Sequence, residues 1–434
     1  MEKVVILSTG DELTTGKIAD TNAQWLADRC ISLGLEVAGT LVVGDQRDRI
    51  TWAWERAFEL GDLVVSTGGL GPTSDDLTTE TVAALLGEEL RFDEAAANHI
   101  RSFFERIGRA MPQNNLRQAQ FPASAVVLDN PLGTAPGYRI TCERDVTPLG
   151  GAPTRATRHL VVMPGVPREM KPMFDDRVAP WIRGLRGSDE VSVVRTFQTF
   201  GMSESALDEA VNALIAPGEA RIGFRASFPQ ISAKLLVRGR PDEAERRADE
   251  LAARVRDALG PVVFGEGETN METATGEALR ARGATVAVAE SCSGGLVGHR
   301  LTEVPGCSAY FLADYVCYSN AAKVDVLGVS RETIERHGAV SEETAREMAE
   351  GARRRSGADV AVATTGIAGP DGGTPERPVG TVCFALAADG VLVSRRHQLW
   401  GTRDWVKLLT SQLALDWVRR WAIGLPVLDS GFRK

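Results

Sequence analysis

Short apolar runs that break into glycine-rich loops constrain this chain more than any other feature. Residues 4–7 run into Ser8-Thr9-Gly10, and 63–66 into Gly68-Gly69-Leu70-Gly71-Pro72. Residues 285–289 run into Glu290-Ser291-Cys292-Ser293-Gly294-Gly295, and 359–364 into Thr365-Gly366-Ile367-Ala368-Gly369-Pro370. Runs this short, apolar throughout, suit strands buried on both faces. Helix-spaced segments at 21–33, 50–60, 77–86, 271–282 and 341–355 separate them, so the expected class is α/β with parallel sheets covered on both sides.

At 434 residues, a prior of about 150 residues per domain divides the chain roughly in three. The boundaries expected are 1–175, 176–268 and 269–434: an α/β domain, a small α+β connector module and a second α/β domain. In the first, a late strand is expected at 160–163, and the Arg- and Thr-rich stretch 142–158 reads as a surface loop or hairpin excursion. In the connector, strands are expected at 191–200 and 231–237, with helices at 203–214 and 241–259. Pro241 sits at a helix start, where its missing N–H costs nothing. The last region closes with strands near 381–387 and 391–399 and a helix over 403–421.

The net charge of −9 gives no field that would gather nucleic acid, so direct nucleic-acid binding is not expected. No run approaches the ~18 apolar residues that cross a bilayer. The four apolar residues after Met1-Glu2-Lys3 are too few for a signal core, so the expected compartment is the cytoplasm. Six scattered cysteines without a CxxC pair read as reduced and structural, and five dispersed histidines without HExxH spacing give no zinc site.

Ser291 stands where a strand stops and Gly294-Gly295 lets the chain turn into a helix expected at 296–301. That corner offers backbone N–H groups and the positive end of a helix dipole to an oxyanion or phosphate. Such a serine is also a natural helix cap, as is Ser293. A nucleophilic serine needs a base. Lys323 is a candidate: with Asn320 capping the next helix, it falls in the first turn, where dipole and desolvation both lower a lysine's pKa. It would take the serine proton directly or through Tyr318. The plainer alternative is a surface lysine and a buried tyrosine. Cys292 as nucleophile and a Ser–His arrangement with His299 or His337 also stay open. The loop after Thr364 holds more glycines than a turn needs, which suits close approach of backbone to ligand or, alternatively, a glycine-rich hairpin.

In the first domain, Ser8-Thr9-Gly10-Asp11-Glu12, Gly68 through Thr78 and Pro131-Leu132-Gly133-Thr134-Ala135-Pro136-Gly137 each follow an expected strand end, so three loops could converge on one crevice. Their glycines expose N–H donors for phosphate. Asp75, Asp76 and Glu12 supply hard oxygens for Mg²⁺ or a similar divalent cation. Asp75 and Asp76 also fit as caps of the helix at 77–86.

Taken together, Ala289-Glu290-Ser291-Cys292-Ser293-Gly294-Gly295, Tyr318-Ser319-Asn320 with Lys323, Gly338-Ala339-Val340-Ser341, Thr365 through Pro370 and Pro378-Val379-Gly380 resemble the C-terminal domain of the CinA family. The resemblance implies an amidohydrolase, without a metal, that converts nicotinamide mononucleotide and water to nicotinic acid mononucleotide and ammonia through an acyl-enzyme. It implies catalytic Ser291, Tyr318 and Lys323, with Ser293, Gly294, Gly295, Asn320, Thr365, Gly366, Ile367 and Gly369 around the substrate. Arg403, the first-turn cation of the last helix, is the phosphate candidate. Ser293 stands where relatives commonly carry Thr, and Ala313-Asp314 where they often carry a Gly pair.

The first domain resembles the molybdopterin-binding-like (MoaB/MogA-type) domain found in CinA, together with Met163-Pro164-Gly165-Val166-Pro167-Arg168-Glu169-Met170. This implies metal-dependent cleavage of ADP-ribose. Gly10, Gly68, Gly69, Gly71, Pro72, Thr73, Gly133, Thr134 and Gly137 would bind the nucleotide and Asp75, Asp76 and Glu12 the metal. The family expectation is a homodimer that salvages pyridine nucleotides. Two alternatives stand beside it: one active domain only, or a nucleotide- or pterin-binding interaction module linked to competence or DNA damage.

Overall fold

The computed structural model describes residues 1–148, 151–187 and 190–431. The chain forms two compact units: Met1–Val193 with Arg238–Arg246, and Val194–Val237 with Arg247–Lys434. Most of the connector module is thus counted with the last domain.

The first unit is built on a six-stranded sheet in the order Glu36–Val43, Lys3–Thr9, Leu63–Thr67, Thr154–Met163, Gly137–Val146, Val126–Leu128. The first four strands are parallel, as the apolar runs predict. Gly137–Val146 runs antiparallel to both of its neighbours, so the sheet is mixed. The stretch 142–158 is largely part of that reversal: Gly137–Val146 and Thr154–Met163 pair as a long antiparallel hairpin. Their outer ends alternate between buried and exposed positions, which is why their Arg, Thr and Glu content looks loop-like in sequence.

The connector is a four-stranded sheet in the order Arg221–Ser227, Gln230–Gly239, Val191–Thr199, Val263–Glu266, with helices Glu204–Asn212 and Pro241–Leu259. Ser203 caps the first of these by accepting from the Ala206 N–H. Sequence reading did not find Arg221–Ser227, whose polar, exposed side chains give no apolar run.

The last domain has a five-stranded sheet in the order Phe311–Val316, Val286–Glu290, Val360–Gly366, Thr381–Ala388, Val391–Gln398. The first three strands are parallel, and Thr381–Ala388 runs antiparallel to both of its neighbours, joined to the last through Asp389-Gly390, a two-residue turn of the kind that fits hairpin twist. Side chains alternate across a strand. Here that alternation sorts by size. Val286, Val288, Val360, Val362, Phe384 and Leu386 pack on one face with residues of helices Met271–Arg282 and Arg403–Ala422. Ala287, Ala289, Ala361, Ala363, Ala385 and Ala387 pack on the other with Ala345, Met348, Ala349 and Ala352 of helix Glu342–Ser356. The small face lets that helix lie close, and it contacts Asn320–Leu327 so tightly that a Cβ on Gly351 would stand 2.0 Å from the Leu327 carbonyl oxygen.

The closing helix Arg403–Ala422 is buried along most of its length and carries charge inside. Asp416 accepts from Arg419 at 2.6 and 2.9 Å, from Arg420 at 2.8 Å and from Ser430 Oγ at 2.5 Å. Arg420 also donates to the Pro426 carbonyl, tying down the tail. All six cysteines are free, and among the described residues no helix is long and apolar enough to cross a membrane. Asp416→Ala would leave two buried guanidinium groups without their anion, at a cost of about 3–5 kcal/mol. A denaturant titration of the variant should show that loss.

Candidate active site

Ser291 follows directly on the strand Val286–Glu290, and its N–H donates to the Thr364 carbonyl of the neighbouring strand at 3.0 Å. Gly294 and Gly295 then take positive φ values of 63° and 88°, a region that L side chains seldom enter, and the chain turns into helix Leu296–Thr302. The cap position is Gly295, without a side-chain cap, so neither serine caps this helix. Ser293 is fully buried with its hydroxyl 2.8 Å from Thr364 Oγ1, which makes it packing rather than a substrate contact. Ser291, 7% exposed, is recessed but not sealed.

Lys323 is brought to it by a short helix, Asn320–Leu327. Its cap is Ser319, whose hydroxyl accepts from the Ala322 N–H at 3.1 Å; Asn320 is an exposed first-turn residue and not the cap. Lys323 is 1% exposed, and its Nζ lies 3.0 Å from Ser291 Oγ, 2.9 Å from the Cys317 carbonyl and 3.3 Å from the Tyr318 carbonyl. Burial pushes the amine below its ordinary lysine value, opposed by nearby Cys317 and Cys292. A neutral amine has two N–H donors and one lone pair. The two carbonyls can take the donors, and the lone pair then faces the serine hydroxyl.

Tyr318 does not join the serine and lysine through its hydroxyl. Its side chain is 61% exposed, and the hydroxyl accepts from Arg403 Nη2 at 3.0 Å. Arg403 Nη1 donates to the Gly369 carbonyl at 2.8 Å, so one guanidinium ties the glycine loop to the tyrosine. Lys407, one turn further along the same helix, reaches within 3.8 Å of where a Cβ on Gly294 would stand. Thr365 donates to the Ala339 carbonyl at 2.7 Å, and Ile367 N–H to Thr381 at 2.8 Å. A Cβ on Gly366 or Gly369 would strike Val382 or Val379, both at 2.5–2.7 Å. These two glycines therefore make room for the protein's own chain, not for a ligand.

The alternative nucleophile and bases fall away. Burial raises the Cys292 thiol to about 12, which keeps it protonated. His299 faces Glu303 and His337 faces Glu343, at 3.9 and 3.8 Å, and neither bonds Ser291. The backbone N–H groups of Cys292 and Ser293 reach no acceptor outside their own residues among the described residues. The N–H groups of Gly295 and Gly298, in contrast, are taken by Glu290, so the helix start is less open than the sequence suggests. Glu290 and Asp314 are the residues missed in sequence reading, although a carboxylate ending an otherwise apolar strand was a signal.

In the first unit, a cavity of about 570 Å³ is lined by Gly10, Glu12, Gly68, Gly69, Gly71, Pro72, Asp75, Asp76 and Thr134, joined by Asp45 and Glu169. The three expected loops do converge. Thr73, Gly133 and Gly137 do not line it. Gly133 packs against Glu169 and Gly137 against Met173 and the Val162 carbonyl. The cap of helix Thr78–Leu86 is Leu77, so neither aspartate caps it. Asp76 instead accepts from Thr73 N–H and Oγ1 at 2.9 and 2.6 Å, closing its own loop. Among the described residues no three His, Cys, Asp or Glu side chains stand close enough to hold a metal, so Glu12, Asp75 and Asp76 are not a preformed cage. Burial, and repulsion from Asp11, Glu12 and Asp75, raise the Asp45 carboxyl against the pull of the Asp11 N–H, which marks the rim as acid-crowded.

Three family models match the chain in succession. A "Probable molybdopterin binding domain" covers residues 5–184, the "Damage-inducible protein CinA KH domain" 194–265 and the "CinA C-terminal domain" 268–422. A CinA-like protein of Desulfosudis oleivorans is 44% identical over 423 residues, covering 96% of this chain and 98% of that one. One of Geotalea uraniireducens is 40% identical over 429, covering 98% of each. Among solved structures, the competence/damage inducible protein CihA from Agrobacterium tumefaciens is 43% identical. It matches 34% of this chain and 90% of its own, at a TM-score of 0.33. A CinA structure from Thermoplasma acidophilum is 34% identical, over 41% and 97%, at 0.35. With relatives at this identity over nearly their whole length, the chain belongs to the CinA family.

Proposed function

We propose that the last domain deamidates nicotinamide mononucleotide, with Ser291 as nucleophile and Lys323 as base. The observation that carries this is the 3.0 Å separation of Lys323 Nζ and Ser291 Oγ, with two carbonyls at the amine's other donors. Ser291 Oγ attacks the carboxamide carbon while its proton passes to Nζ. The oxyanion is stabilised by the N–H groups of Cys292 and Ser293. The ammonium returns the proton to the leaving nitrogen, the C–N bond breaks, and ammonia departs from an ester on Ser291. Water then attacks the ester, gives its proton to Nζ, and the acid leaves as Ser291 recovers its hydrogen. Tyr318 and Arg403, at the exposed mouth, contact substrate rather than move the proton, with Arg403 and Lys407 as the cations for its phosphate.

Ammonia release from nicotinamide mononucleotide is the test. Ser291→Ala should abolish it, and Lys323→Met should lower kcat by about 10²–10⁴, the usual worth of a general base. Arg403→Ala should raise KM more than it lowers kcat. The base acts only without its proton, so the acid limb of kcat should rise with pH, with a midpoint below the ordinary lysine pKa of about 10.4. Full activity in Lys323→Met would refute the assignment.

A second activity is proposed for the first unit: hydrolysis of the ADP-ribose pyrophosphate in the 570 Å³ cavity. The acid-crowded rim around Asp45 supports it, because repelling carboxylates favour a cation between them and an anionic ligand. A divalent cation there, held by Glu12, Asp45 or Asp75, would supply charge neutralisation at phosphate. Backbone N–H groups of Gly69, Leu70 and Gly71 would orient the phosphates, the Gly68 N–H being held by the Met163 carbonyl. AMP release from ADP-ribose should require added divalent metal, stop with chelator and fall in Asp75→Asn. Metal-independent release, or none, would count against it.

A further inference from the structure

Glu290 ends the strand that delivers Ser291, and it is fully buried. Its carboxylate accepts from the Gly295 N–H and the Gly298 N–H, both at 2.9 Å. It thus binds the start of helix Leu296–Thr302, where the turn after Ser291 ends. A second carboxyl stands on the adjacent strand Phe311–Val316, where Asp314 lies beside Val288 in the register. A Cβ on Gly298 would be 2.2 Å from Asp314 Oδ2, so both acids converge on the same glycine. Asp314 Oδ1 is closed off from solvent and has no hydrogen-bond partner among the described residues. Glu290 is the charged neighbour that acts on Asp314. Two ionised carboxylates converging on one glycine, with Glu290 fully buried and Asp314 Oδ1 closed off from solvent, would repel strongly.

We propose that Asp314 keeps its proton in the folded protein, donates it to Glu290, and so positions the loop 291–295 for deamidation. Asp314 is a positioning residue and touches no reacting atom. Burial and the negative charge of Glu290 act in the same direction, raising the Asp314 carboxyl to about 8. With Asp314 neutral, the pair avoids a second buried charge beside the carboxylate that holds the two N–H donors. Above that value the second charge appears and the clamp loosens. The proposal rests on the deamidase reading of Ser291, and its test separates the two.

Full-length parent, Asp314→Asn and Asp314→Leu proteins are compared. Asn keeps the shape and an N–H donor but cannot ionise, and Leu keeps the size and loses the donor. The first readout is kcat and KM for ammonia release from nicotinamide mononucleotide across pH. The parent's kcat should fall on the alkaline side with a midpoint near 8. Asp314→Asn should lose that falling limb at unchanged KM. Asp314→Leu should lose about tenfold or more in kcat, the usual effect of deleting a hydrogen bond to a charged group. Superimposed profiles for the parent and Asp314→Asn would overturn the proposal.

The second readout, Tm against pH, does not involve the reaction. A carboxyl whose folded pKa lies above its unfolded value of about 3.9 gives stability that is complete below that value. The stability is then lost as pH rises through the folded pKa. The Tm of Asp314→Asn should therefore gain on the parent between about pH 4 and 8 and hold level above. A difference that stays constant with pH would show Asp314 ionised in the fold and overturn the proposal. Should the parent release no ammonia, the deamidase reading fails, and the Tm comparison still decides whether the acid pair exists.

Discussion

A buried amine held against a serine hydroxyl by two backbone carbonyls is the contact on which the proposed chemistry depends. Lys323 sits 3.0 Å from Ser291, and at 1% exposure it has almost no water to stabilise an ammonium. The carbonyls of Cys317 and Tyr318 are fixed by the chain segment leading into the lysine's own helix. The sequence that supplies the base therefore also aims it. No histidine is needed, and none lies at the serine.

That contact is a consequence of the sheet. Alanines on one face of three adjacent strands leave room for helix Glu342–Ser356 to approach, and glycine at 351 lets helix Asn320–Leu327 pack on it in turn. Lys323 thus reaches the end of the Val286–Glu290 strand, where the turn at Ser291 begins. Bulkier residues at the alanine positions would push both helices outward, and a shift of an ångström is enough to break a proton-transfer geometry. The valine face does the opposite work. It builds a thick core with the closing helix, whose first turn carries Arg403 at the site mouth.

Much of this was legible in sequence, for reasons that can be named. The parallel strands read clearly because each is a short apolar run ended by glycine, and Ser291 and Lys323 stand out as chemistry at strand and helix ends. The antiparallel edges were legible in part. The last two strands were expected near 381–387 and 391–399, and 142–158 read as a loop or a hairpin excursion; it is a hairpin, whose half-exposed strands give no apolar run. Glycine was the least reliable guide. Gly366, Gly369, Gly133 and Gly137 all looked like ligand loops, and all are instead places where the chain packs on itself. Tyr318, near Lys323 in sequence, has its hydroxyl on Arg403 rather than on Ser291 or Lys323, which no spacing rule reveals. In the first unit the convergence of three loops was foreseen, but the roles of the acids were not. Asp76 is spent on its own loop, while Asp45 lines the cavity unannounced by any motif.

The account stands or falls on the charge of one nitrogen. Titrating the full-length protein with carbon-13 at the lysine ε position, and assigning Lys323 by its loss in Lys323→Met, reads its pKa directly. The account predicts a value clearly below the ordinary lysine figure of about 10.4, so that a usable fraction is neutral where the enzyme works. A value at or above that figure would mean an ammonium anchored by two carbonyls. Lys323 would then be a structural cation, and Ser291 would have no base.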